Sequence, residues 1–253
     1  RQGYIGLEVA AVAKKLGLNV TVVEMASRIL ERVTSPVISS FYHSYHESQG
    51  VNIMTSTSVD GINGKEKVSS VETSIGSIDA DIVVVGIGVL PCQELAEKSG
   101  VQTNNGIVVN EFCVSSDKNI FSAGDCTLHP SPFYKKDIRL ESVHNAIEQG
   151  KTVASSIMEE FISYNQIPWF WSDQYDLKFQ IAGLNSGYDE YIIRGKPEDN
   201  SFSVFYFKDG LMISSDCINS APEHMMSRRF IFNKTEIDLE KLQDKNISMK
   251  EVI

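Results

Sequence analysis

Gly3-Tyr4-Ile5-Gly6 opens a stretch of helical periodicity, and Glu24 closes the β-branched run Val20-Thr21-Val22-Val23 that follows it. Two glycines at a helix start and an acid at the end of the next strand match the last part of a G-x-G-x-x-G dinucleotide fingerprint. In that pattern Gly3 lets the backbone approach a pyrophosphate. The helix start carrying Tyr4 and Ile5 supplies N–H donors and a positive dipole end, and Gly6 permits close helix packing. Glu24 would accept hydrogen bonds from the adenosine ribose and repel the extra phosphate of NADPH, which favours NAD(H), although Arg28 and Arg32 nearby oppose that preference. Glu8, one turn into the helix, points either to the ligand side or to solvent.

Three further groups of residues carry chemistry. Gly86-Ile87-Gly88 ends an apolar run and is expected to leave bare backbone at the carboxyl edge of a parallel sheet, near the nicotinamide end of a nucleotide. Gly124-Asp125 sets a carboxylate at a strand end, where it can accept hydrogen bonds from ribityl or ribose hydroxyls. A plain Gly-Asp turn is the simpler account. Glu141-Ser142-Val143 opens a long helix whose free N–H groups would favour a reduced, anionic flavin ring, and ordinary capping by Glu141 and Ser142 is compatible with that role. Of the two indoles in Trp169-Phe170-Trp171-Ser172-Asp173-Gln174, one suits a flat cofactor and the other the core, core packing of both being the plainer alternative.

The elements that must hold these residues follow from periodicity. A helix is expected over Gly3 to Gly17 with Ile5, Val9, Val12 and Leu16 as its buried face, then a strand at Asn19 to Glu24. A second helix spans Ser35 to Gln49, with Pro36 in its first turn, and a strand follows at Val51 to Met54. An antiparallel ribbon fills Thr57 to Ser77, and Ala80 to Gly86 reads as a buried parallel strand. Asn119 to Asp125 is expected to be a strand ending on the carboxylate. The helix from about Glu141 to Phe161 would bury Val143, Ala146, Ile147, Gly150, Val153, Ala154 and Ile157. Aromatic-rich strands after Pro168 and helices near Glu223 to Phe232 and Asp238 to Asp244 complete an α+β unit. The chain is thus α/β, with a Rossmann-like parallel-sheet nucleotide-binding domain at residues 1–105, part of an FAD-binding domain at 106–165 and a C-terminal α+β domain at 166–253.

The 253 residues, 42% hydrophobic and 22% charged, can bury a substantial core, and a net charge of -10 argues against nucleic acid as a partner. No apolar run approaches the roughly 20 residues needed to cross a bilayer, so no membrane span is expected, and four scattered cysteines suit a reduced, cytoplasmic protein. Cys92, Cys113, Cys126 and Cys217 form no C-x-x-C pair. His43, His46, His129, His144 and His224 show no metal-ligand spacing, and no metal is expected.

Taken together, Gly3 to Ala11, Val20 to Glu24, Val84 to Pro91, Ala123-Gly124-Asp125-Cys126, Arg139 to Val143 and Pro168 to Gln174 resemble the NADH-dependent ferredoxin and rubredoxin reductases, FAD-dependent flavoproteins of the glutathione-reductase structural class. The resemblance implies electron transfer from NADH through FAD to a ferredoxin or rubredoxin, without acid–base catalytic residues, and it admits a homodimer. It also implies that Asp125 binds the FAD ribityl chain, that the Val143 backbone meets the isoalloxazine, that Trp171 lies beside it and that Glu8 approaches the nicotinamide. Cys92 stands where this family usually has Asn, and His144 where it often has Gln or Trp. Family members carry an FAD-binding G-x-G-x-x-G about a hundred residues upstream of these stretches, so weak flavin retention is expected of residues 1–253 alone. An interaction module related to apoptosis-inducing factor and a monodehydroascorbate reductase-like enzyme are the competing readings.

Overall fold

The computed structural model describes residues 3–253. Helix α1 (Tyr4–Lys15) leads into β1 (Thr21–Val23), helix α2 (Pro36–Ser48) and β2 (Asn52–Met54), and β1 and β2 pair in parallel. Pro36 sits in the first turn of α2, where its missing N–H costs nothing. A three-stranded antiparallel sheet follows, β3 (Val59–Gly64), β4 (Val68–Thr73) and β5 (Gly76–Asp79), then the short helix α3 (Glu94–Lys98). A second three-stranded sheet is built from β6 (Ile107–Val108), β7 (Thr127–Ser131) and β8 (Lys136–Arg139), and α4 spans Val143–Ile157.

The last third is a five-stranded antiparallel sheet in the order β11-β12-β13-β10-β9, made of β9 (Trp169–Gln174), β10 (Leu177–Gly183), β11 (Glu190–Lys196), β12 (Ser201–Lys208) and β13 (Leu211–Ile218). Helices α5 (Ala221–Asn233) and α6 (Leu239–Gln243) close it. The near-continuous apolar run of β12 is explained by burial on both faces. Phe202, Val204 and Tyr206 join a core shared with Leu7 of α1, Ile38 and Tyr42 of α2 and Phe179 of β10. Phe205 and Phe207 face the other way, onto Phe230, Leu242 and Val252.

Three expectations are corrected. Residues 80–86 do not form a strand: Ile82, Val84 and Val85 are exposed, and no backbone hydrogen bond holds residues 81–92 among the described residues, so the β-branched run has no partner to pair with. Residues 119–125 form no strand ending at Asp125 either. Phe121 bridges back to Val114 and Ser122 N–H donates to Cys113 O, a tight local return that uses the backbone before the carboxylate is reached. Finally, the apolar faces of α1 and α4 point outward. Ile5, Val12 and Leu16 are exposed, while Tyr4, Leu7, Ala10 and Ala11 are buried, because edge-on ring contacts of Tyr4 with Phe170 and Phe179 dock that side of the helix on the C-terminal sheet. In α4 the buried side is Asn145, Gln149, Thr152, Ser155 and Ser156, held by hydrogen bonds, and Val143, Ile147 and Ile157 are exposed.

Candidate functional site

The start of α1 has no side-chain cap and is a candidate anion site. Gly3 is its N-cap in an extended conformation, without a side-chain cap or an acid in the first turn, so the leading N–H groups find no partner among the described residues. A side chain at Gly3 or Gly6 would meet nothing within 4 Å, and a Cβ on Gly86 would lie 3.7 Å from the Gly6 Cα. The segment carrying Gly86, the exposed Ile87 and Gly88 therefore runs beside the helix start, backbone against backbone. Ile5 is exposed at this edge, whereas Tyr4 commits its ring to the core and leaves only its backbone for a ligand.

Glu24 follows β1 and is buried, its Oε1 accepting the Ala26 N–H at 2.9 Å. Its second oxygen has no partner among the described residues. Arg28 is occupied, donating to the carbonyls of Thr34 and Glu31 at 3.1 and 2.9 Å, and Arg32 is exposed. Glu24 thus keeps an acceptor that could take a ribose hydroxyl, while the Arg28 guanidinium is spent on backbone carbonyls.

A second group of residues gathers at the start of α4. Ser142 caps the helix by accepting the Asn145 N–H at 3.2 Å, and Glu141 pairs with Arg139 at 2.8 Å. The same Arg139 donates to the Asp125 carbonyl at 2.9 Å, which leaves the Asp125 side chain exposed beside the helix end. Gly124 is buried at φ +85, a conformation that favours glycine, and its N–H donates to Gln149 Oε1 at 2.7 Å. Trp171, 45% exposed, lies 5.6 Å from Trp169, whose ring in turn lies 5.4 Å from His144, the neighbour of the exposed Val143. Asp125, Ser142, Val143 and Trp171 thus share one edge.

Sequence reasoning missed the residues beneath that edge. Gln149 Nε2 donates to His129 Nδ1 at 2.9 Å, Tyr164 donates to Asn145 Oδ1 at 2.9 Å, and burial pushes His129 down to about 4. The four-residue spacing of Asn145 and Gln149 was the available signal. Gln149→Leu would strand the buried Gly124 N–H and is expected to cost about 1–3 kcal/mol of stability, read from urea denaturation. A change below about 0.5 kcal/mol would mean that the network does not hold the Gly124 turn.

A hydrogen bond links the two groups, beside the Tyr4–Phe170 ring contact. Ser172 donates to Glu8 Oε1 at 2.6 Å, joining α1 to the strand that carries Trp171.

Residues 2–150 match the family model described as pyridine nucleotide-disulphide oxidoreductase, which covers the first group and, of the second, Gly124 to the first half of α4 but not Trp171. The chain belongs to the pyridine nucleotide-disulphide oxidoreductase family. Residues 169–253 match a second model, the reductase C-terminal domain. Putidaredoxin reductase of Pseudomonas putida is 40% identical over 255 residues, covering 99% of this chain and 60% of the relative, and rhodocoxin reductase of Rhodococcus erythropolis is 40% identical over 98% and 58%. A crystal structure of a ferredoxin reductase from Rhodopseudomonas palustris matches with a TM-score of 0.95 at 38% identity, over 98% of this chain and 62% of that one. The covalent putidaredoxin reductase–putidaredoxin complex matches with a TM-score of 0.95 at 40% identity, over 99% and 61%. The chain therefore spans about three fifths of the length of the relatives it matches. All four of its cysteines are free. No described helix is long and apolar enough to cross a membrane.

Proposed function

We propose that the full-length protein is an FAD-dependent reductase that passes electrons from NADH to a ferredoxin or rubredoxin, with this chain supplying the nucleotide-binding end, one edge of the flavin site and the C-terminal domain. The observation that carries the reading is the Glu8–Ser172 hydrogen bond, since it sets the nucleotide end of α1 one residue from Trp171. The names of the relatives, and the putidaredoxin complex of one of them, support the class of acceptor.

The residues fit the groups this requires. The uncapped start of α1 would take the pyrophosphate, and the free oxygen of Glu24 the ribose hydroxyls. The exposed Asp125 carboxylate would accept from flavin ribityl hydroxyls, the N-terminus of α4 at Val143 would lie against the ring, and Trp171 would cover it from water. Flavin supplies the conversion of a two-electron donor into single-electron steps, which nicotinamide cannot perform. The protein's part is placement.

In the full-length flavoprotein, NADH is expected to bleach the flavin and support rapid ferredoxin reduction. Flavin bleaching without acceptor turnover would favour an interaction module instead. Glu24→Ala is expected to weaken NADH binding by about 1–3 kcal/mol, the scale of hydrogen bonds to a charged group. Unchanged affinity in a calorimetric titration would reject the ribose assignment.

A further inference from the structure

We propose that Ser172, Gln174 and His46 are positioning residues for Glu8, forming a buried one-way hydrogen-bond chain that fixes its carboxylate at the nicotinamide end of the nucleotide site. The inference rests on the proposed function for the identity of the ligand. The chain itself is drawn from contacts. Ser172 Oγ lies 2.6 Å from Glu8 Oε1, Gln174 Nε2 lies 3.0 Å from Ser172 Oγ, His46 Nε2 lies 2.8 Å from Gln174 Oε1, and the Tyr175 hydroxyl lies 3.4 Å from His46 Nδ1.

The direction of every bond follows from the carboxylate end. A carboxylate only accepts, so the Ser172 hydroxyl proton goes to Glu8 and its oxygen must accept from Gln174 Nε2. That fixes the amide, and Gln174 Oε1 then faces His46 and takes its Nε2–H. Neutral His46 is left with Nδ1 as an acceptor, to which the Tyr175 hydroxyl donates its proton. Burial holds His46 below its ordinary value and keeps it in this neutral form. No link can reverse without leaving two donors or two acceptors face to face.

Burial makes the arrangement more than a surface contact. Ser172, Gln174 and His46 are each 1% exposed or less. Alternation along β9 places Trp171 and Asp173 outward and Ser172 and Gln174 inward, toward α1 and α2. Core sites of this kind are ordinarily filled by apolar side chains, and three polar ones survive there only when each is satisfied. Here they end on Glu8, which stands on the same helix as the candidate anion site. The chain therefore couples the angle of one side chain to two other elements, α2 and β9.

The test uses the full-length flavoprotein and two ligands, NADH and ADP-ribose, which lacks the nicotinamide. Dissociation constants come from isothermal titration calorimetry. Ser172→Ala is expected to weaken NADH about five- to tenfold while ADP-ribose changes less than about twofold, and Ser172→Thr, which keeps the hydroxyl, is expected to restore NADH binding. Gln174→Met should follow Ser172→Ala. In a Glu8→Ala background, which removes the acceptor of the Ser172 hydroxyl, Ser172→Ala is expected to add nothing, because its effect passes through Glu8. Unchanged affinities, equal losses for both ligands, or multiplying effects of the two substitutions would overturn the positioning role alone. Wild-type protein that binds neither ligand would overturn it together with the nucleotide assignment.

Discussion

Arg194→Ala is expected to lower the unfolding free energy of the C-terminal sheet and its helices by about 3–5 kcal/mol, the cost of breaking a buried charged network. Arg194 lies on β11 at 4% exposure, and a guanidinium carries five N–H groups in a fixed fork. All five are used. Nε meets Glu223 Oε1 at 3.3 Å, Nη1 donates to the carbonyls of Leu242 and Asp244 at 3.0 and 2.6 Å, and Nη2 donates to those of Lys245 and Ile247 at 3.5 and 2.6 Å. One side chain thus gathers the carbonyls that end α6 and start the final turn, which sends Met249 and Val252 into the core against Phe205 and Phe207. Removing it strands those carbonyls and leaves Glu223 without its cation. Arg194→Lys should rescue little, since three donors on one nitrogen cannot span four carbonyls. Urea denaturation followed by the fluorescence of Trp169 and Trp171 reads the loss, and a change below about 1 kcal/mol would show that the tail is held by apolar packing alone.

The contrast between Arg194 and the residues first picked out shows where sequence reading reaches its limit. Gly3, Gly6 and Glu24 could be picked out as candidates because their spacing is local, although a side chain on Gly3 or Gly6 would meet nothing within 4 Å. The helices α1 and α2 and the aromatic strands of the C-terminal sheet were legible for the same reason, through periods of 3.6 and 2. Arg194 meeting carbonyls 48 or more residues away and Glu8 meeting Ser172, 164 residues away, have no local signature. The inward alternation of Ser172 and Gln174 was the one available hint.

The failures have a common cause as well. Periodicity identifies an apolar face and is silent on what covers it. In α1 the aromatic contacts of Tyr4 outweighed the aliphatic row of Ile5, Val12 and Leu16, and in α4 the amides of Asn145 and Gln149 were bound before Val143 and Ile147 found neighbours among the described residues. The run at 82–85 has the composition of a buried strand, but a strand exists only through a partner's backbone. Exposed apolar side chains therefore lie on α1, on residues 82–90 and on α4, the three segments that carry Gly3, Gly86 and Val143.

The same core that joins α1 and α2 to the C-terminal sheet contains a carboxyl group, and its ionisation is expected to make that junction pH-dependent. Asp216 on β13 is fully buried. Its Oδ2 accepts from Thr34 Oγ1 and from the Tyr206 hydroxyl, the latter at 2.7 Å, and Ser35 Oγ lies 2.7 Å from the same hydroxyl. Oδ1 has no partner and no cation pairs with the group among the described residues. Burial dominates, so the carboxyl is pushed from 3.8 up to about 6, the hydrogen bonds from Thr34 and Tyr206 offsetting only part of the rise. A carboxyl whose folded value is raised binds its proton more tightly in the native state. Its contribution to stability is fully present below 3.8 and is lost as pH rises through about 6, a loss of about 3 kcal/mol at about 1.4 kcal/mol per tenfold change in proton affinity. Asp216→Asn keeps an acceptor for Thr34 and Tyr206 and cannot ionise. The unfolding free energy of this variant minus that of the wild type is therefore expected to rise by about 3 kcal/mol from about pH 4 to about pH 7, whatever its absolute value, because the other carboxylates titrate alike in both proteins. Urea denaturation at several pH values measures the difference, and a flat profile would mean that Asp216 titrates normally despite its burial. A rise confined to the window between 3.8 and about 6 would identify the charge at the α2–β13 junction as its source, since Thr34 and Ser35 immediately precede α2 and respond directly to it.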